Sequence, residues 1–123
     1  MIVFVKAAAD AVERYMLETG VFPSDWESLD IQIPGPSAAT QSIGQLIKAP
    51  NYQVLLASGR IVASKDFSST DNLRIQKQIS PSSICPNGGC FDCYAYTDKA
   101  RVICQTFGPY RTTTGSYDLY EIK

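Results

Sequence analysis

A chain of 123 residues with 11 basic and 12 acidic side chains and a formal charge of −1 makes one domain, two at most. Its basic residues are scattered rather than clustered, which argues against a nucleic-acid or anionic-membrane surface. Histidine is absent, and with it the commonest general base and metal ligand. No run of 18 apolar residues is long enough to span a bilayer. Lys6 and Asp10 interrupt any apolar signal core near the start. Four cysteines in a small chain point to an oxidising compartment, so the export signal is expected upstream of Met1.

The first element is an amphipathic helix. Val5, Ala8, Ala9, Val12, Tyr15 and Met16 share one face at the spacing of a buried stripe, and Lys6, Asp10, Glu13, Arg14 and Glu18 take the other. Asp10 stands four residues before Arg14, the order of a helical ion pair. Gly20 suits the C-cap and Pro23 prevents resumption. Ser24-Asp25-Trp26-Glu27 has the form of a capping box and predicts a short second helix through Leu29. The helix opens on Ile2-Val3-Phe4-Val5 without a capping residue, as the lower half of a longer helix would.

Residues 30–33 alternate as a short strand would, and Pro34-Gly35-Pro36 stops them. Residues 37–48 read as a loop or loose helical turn carrying Ile43, Leu46 and Ile47. Residues 52–57 and 60–64 flank Ser58-Gly59 as a two-residue hairpin. Residues 73–79 alternate as a strand, and 80–89 form a loop rich in Ser, Pro and Gly. Residues 91–96 and 101–106 are expected to pair as a second hairpin around Thr97-Asp98-Lys99-Ala100. Residues 112–115 read as a polar loop, and 117–122 as the last strand. The expected fold class is α+β, an N-terminal helix packed on one face of an antiparallel meander. The expected divisions are 1–20 for the helix, 21–50 for a connecting region and 51–123 for the sheet.

Cys85, Cys90, Cys93 and Cys104 allow three pairings. A turn at Asp98-Lys99 sets Cys93 opposite Cys104, at a separation a disulfide accepts. That leaves Cys85 to close on Cys90 across Pro86-Asn87-Gly88-Gly89. A four-thiolate zinc site is the rival, but it usually presents two close pairs, and here only Cys90 and Cys93 are close. A redox role for Cys90-Phe91-Asp92-Cys93 lacks a helix N-terminus.

No phosphate loop or nucleophile elbow is present, and no catalytic, cofactor or metal residue is assigned. Asp66, Asp71, Asp92, Asp98, Asp118 and Glu121 show no spacing that singles out a reacting pair. The stretches 68–72 and 112–118 have oxygen donors but no recognisable calcium pattern. Tyr94, Tyr96, Tyr110, Tyr117 and Tyr120 concentrate in the last third. Ordinary strand composition explains them; a carbohydrate- or protein-binding face is the alternative.

Ala8-x-x-x-Val12-Glu13-Arg14-Tyr15, then Gly20-x-Phe22-Pro23, then Trp26-x-x-Leu29-Asp30-Ile31 resembles the segment after the membrane-spanning half-helix of bacterial type IV pilins and type II secretion pseudopilins. The match covers about the first 31 residues; the rest agrees in layout, with the cysteines where that family has its disulfide-bonded region. The resemblance implies a filament subunit without catalysis or cofactor. It would be held in the inner membrane by a segment preceding Met1, processed by a prepilin peptidase and polymerised into a periplasmic or surface filament. Its partners would be other subunits and the inner-membrane assembly machinery, and its packing face Val3, Phe4, Val5, Ala8 and Val12. The other expectation is a secreted, disulfide-stabilised module that recognises protein or glycan through its tyrosines.

Overall fold

Among the described residues two helices lie on one face of a seven-stranded antiparallel sheet. The structure is a computed structural model describing residues 1–24, 26–31, 46–49, 51–57, 59–69 and 72–122. Helix α1 spans Ile2–Thr19 and a 3-10 turn Trp26–Ser28. The strands are β1 (Leu46–Lys48), β2 (Gln53–Ala57), β3 (Arg60–Ser64), β4 (Arg74–Gln78), β5 (Phe91–Ala95), β6 (Tyr110–Thr114) and β7 (Tyr117–Glu121). Helix α2, Asp98–Gln105, follows β5. The strand order is β1-β2-β3-β4-β5-β7-β6, so β7 lies inside and β6 forms the edge.

The apolar stripe of α1 is its buried face. Val5, Ala8, Ala9, Ala11 and Val12 are buried and pack with Ile47, Val54, Leu56, Ile61, Ala63, Ile75 and Cys93 from the sheet. These strand residues oppose one another in register, Ile47 to Val54 to Ala63 to Ile75 to Cys93, and so share a face. Each large one contributes about 1.5–3 kcal/mol of burial. Trp26 is fully buried under the start of α1, its ring 5.9 Å from that of Phe4. Gly20 ends the helix in the left-handed region, φ 79°, its N–H donating to Met16 O at 2.8 Å.

Several expectations are corrected. Arg14 turns from Asp10 to Asp30, donating from Nε at 3.1 Å and Nη2 at 2.8 Å. The planar fork fits one carboxylate better than an i,i+4 contact does. Leu46 and Ile47 belong to a strand, because the open edge of β2 offers them a ladder. Residues 101–106 are not a hairpin strand. Thr97 is an N-cap, its Oγ1 accepting from Ala100 N at 3.2 Å, and Asp98 opens the first turn of α2. The polar run at 112–115 contains a strand as well as a turn: β-branched threonines suit an edge, and Gly115, φ 57°, begins the turn into β7. The hairpin of β2 and β3 forms with Ala57 facing Arg60. Residues 32–45, which hold Ile33, Pro34-Gly35-Pro36 and Ile43, lie outside the described residues, as do Asp25, Ser58 and Asp71 and the side chain of Glu27.

Candidate functional site

The face of the sheet without helices is neither flat nor uniformly polar. Val62, Tyr94 and Leu119 are buried there, with Ser64, Gln76, Gln78 and Asp92. Two segments wall the face into a groove of about 330 Å³. One wall is Phe67, after β3. The other is Ser82, Ser83 and Ile84, after β4. The floor includes Leu55 and Val62, and Tyr94, Tyr96, Tyr117 and Thr114 close the far side.

The second wall is held by covalent and polar ties. Cys85 bonds to Cys90, their Cα atoms 6.0 Å apart, which closes the loop carrying Gly88 and Gly89. Arg111 reaches across from β6. Its Nε and Nη2 donate to Asp92 at 2.9 and 2.7 Å, and its Nη1 to Ile84 O at 2.8 Å. The Asp92 side chain is only 3% exposed, so this is a buried pair with its hydrogen bonds filled, the condition under which such a pair is tolerated.

A chain of amides runs along the floor. Gln76 Nε2 donates to the Tyr94 hydroxyl at 2.6 Å and to Gln78 Oε1 at 3.1 Å, and Gln78 Nε2 donates to Ser80 O at 2.8 Å. Burial pushes the Tyr94 hydroxyl well above the ordinary phenol range, with Tyr117 and Asp92 adding to the effect. The Tyr94 and Tyr117 rings stack at 5.1 Å, and Tyr96 leans on Tyr117 at 5.2 Å. Arg74 lies between two aromatic rings, its guanidinium carbon 5.2 Å from the Phe67 centroid and 5.4 Å from that of Tyr96. Such contacts fix an arginine without neutralising it. Among the described residues neither Arg74 nor Arg60, at the other end, forms an ion pair, whereas Arg14, Arg101 and Arg111 each do. Among the described residues no acidic side chain lines the groove. Ser82 Oγ is buried and has no hydrogen-bond partner among the described residues.

The remaining candidate residues are dispersed. Cys93 bonds to Cys104, which pins α2 to β5 on the helix side, not one strand to another. Tyr110 packs on Tyr120 at 5.8 Å, apart from the groove tyrosines. Asp66 accepts from Ser68 N, and Asp98 and Asp118 both face Arg101. Among the described residues no three His, Cys, Asp or Glu converge as metal ligands. On α1, Val5, Ala8 and Val12 are 0% exposed and already taken by the chain's own sheet, so they are closed to a neighbouring subunit. Phe4 packs on Trp26 and Tyr52. Of the expected packing face only Val3, 80% exposed, stands open.

Sequence reasoning named the tyrosines but missed Arg60, Arg74, Gln76 and Gln78 as their companions. The signal was the alternation Arg74, Gln76, Gln78, polar residues every second position in an interior strand.

No family model, no curated protein and no solved structure matches this chain. Two disulfides suit an extracellular or periplasmic location. Among the described residues no helix is long and apolar enough to cross a membrane.

Proposed function

We propose that the chain is the headpiece of a filament subunit of the type IV pilin or type II secretion pseudopilin kind, polymerising through its N-terminal helix. The supporting observation is the outward side of α1. Val3 and Leu17 are 80% and 87% exposed there. They stand fourteen positions apart, about 21 Å along the axis, and only about 40° apart around it. Two exposed apolar residues on one seam leave that side of α1 open to another helix. An N-terminal helix laid over an antiparallel sheet, with disulfides toward the C-terminus, suits the same reading.

The test is made in the producing cell. Sheared surface filaments, labelled with antibody to this chain, should carry it. Val3→Glu and Leu17→Glu should abolish the labelled filaments while the isolated headpiece keeps its melting temperature, since exposed substitutions cost within about 0.5 kcal/mol. Unlabelled filaments, or normal filaments from both variants, would refute the reading.

The groove supports a second reading from another class, a disulfide-stabilised binding module. Supporting it are the polar floor and two arginines, Arg60 and Arg74, without ion pairs among the described residues.

A further inference from the structure

We propose that the groove on the helix-free face is a binding site for an acidic oligosaccharide, one whose sugar rings carry carboxylates. This rests on the binding-module reading of the groove and holds whether or not the chain polymerises.

Charge selects an anion. Among the described residues Arg60 and Arg74 line the groove without ion pairs, and no acidic side chain lines it. Guanidinium groups bind carboxylates through paired donors. Arg74, already held between Phe67 and Tyr96, has little freedom to lose on binding, which favours affinity.

The neutral groups select hydroxyls. Ser83, Thr114, Tyr96 and Tyr117 offer hydroxyls above a hydrogen-bonded floor of Gln76 and Gln78, rather than an apolar slot. The rings of Tyr96 and Tyr117 give flat apolar surface against which a sugar face can rest. The volume of about 330 Å³ lies within the small-ligand range, about 300–1,000 Å³.

The backbone argues against an extended peptide. Peptides commonly add to an exposed sheet edge. Here β3, β4 and β5 are interior strands, each paired on both sides. The groove therefore offers side chains rather than an open ladder. Its wall is preset by Cys85–Cys90 and by the hydrogen bond from Arg111 to Ile84 O.

Isothermal titration calorimetry of the full chain at near-physiological salt tests this with three probes: hexagalacturonate, neutral maltohexaose and hexaglutamate peptide. Saturable binding of hexagalacturonate is expected, weakened about ten- to a hundredfold by Arg60→Gln or Arg74→Gln through loss of charged hydrogen bonds. Maltohexaose should bind more weakly by a similar factor. Arg60 is exposed, so Arg60→Gln should keep the parent melting temperature even if Arg74→Gln does not. Maltohexaose binding as tightly as hexagalacturonate would overturn the charge argument. Hexaglutamate binding as tightly would overturn the carbohydrate assignment while leaving a binding groove. Hexagalacturonate binding undiminished by both substitutions would remove the site from the groove. No binding by any probe would overturn both the proposal and the binding-module reading.

Discussion

Replacing Cys93 and Cys104 together by alanine tests what holds the second helix. The bridge spans 11 positions, for which the chain-entropy model gives about 2.8 kcal/mol. At about 2.1 cal/mol/K of unfolding entropy per residue, that is a fall in melting temperature of about 11 °C for a chain this long. The shorter Cys85–Cys90 loop spans 5 positions and is worth about 2.1 kcal/mol, or about 8 °C, on the same model. The two losses should also differ in place. Helix α2 has eight residues and buries only Ala100 and Cys104, and a helix of that length is not stable alone in water. Without the bridge it keeps Ala100, its cap and the Arg101–Asp118 contact at 2.7 Å. Hydrogen exchange followed by mass spectrometry should therefore show peptides over 98–105 opening well before those of β3 and β4. The shorter bridge's double-alanine variant should leave them protected. If the Cys93/Cys104 variant melts within about 3 °C of the parent and α2 exchanges as slowly as before, the staple argument is wrong.

Three further outcomes follow from particular contacts. Gly88 has φ +72°, and a Cβ there would lie 2.6 Å from Ile79 O, a backbone atom; Gly88→Ala should lower stability by more than about 1 kcal/mol in urea titration, and an unchanged midpoint would contradict the close approach. Asp92→Leu leaves Arg111 half-buried without its carboxylate and should cost about 3–5 kcal/mol, whereas a paired Asp92→Leu, Arg111→Met variant should recover much of it; equal losses would show that the pair is not coupled. Thr113 Oγ1, followed by Arg101, holds the Asp118 carboxyl below its ordinary range despite some opposing burial. Because the folded value is the lower one, its contribution is complete above the unfolded value of about 3.9 and is lost as pH falls through the folded one. Asp118→Asn should therefore flatten the acid limb of the stability profile below about pH 4; an acid limb identical to the parent's would count against the linkage.

Where the sequence spoke in periods, it spoke clearly. The stripe Val5, Ala8, Val12 marks the buried side of α1, and the alternation from 52 to 64 marks a hairpin with Gly59 at its turn. It misled where a short segment satisfies two templates. Asp98-Lys99 reads as a hairpin turn until Thr97 is recognised as a helix cap. The cysteine partners that the hairpin register selects are nevertheless the bonded ones, because about two turns of α2 bring Cys104 back over β5. The groove was half legible. Tyrosines clustered near the C-terminal end are visible in one dimension, but Arg60, Arg74 and the two glutamines join them only through the register of β3, β4 and β5, which no local pattern encodes.

The interior position of β7 bears on the order of events during folding. Residues 117–121 complete two ladders at once, to β5 on one side and β6 on the other. While the chain emerges N-terminus first, one side of β5 stays open and β6 has no neighbour. The β6–β7 ladder is a local hairpin, but the β5–β7 contacts are late and distant in sequence, the kind that slow folding. A chain built this way can pair β1 to β5 in order and closes the far side of its sheet only when its last strand arrives. Removal of residues 117–121 would therefore cost both ladders at once and leave β6 without a neighbour.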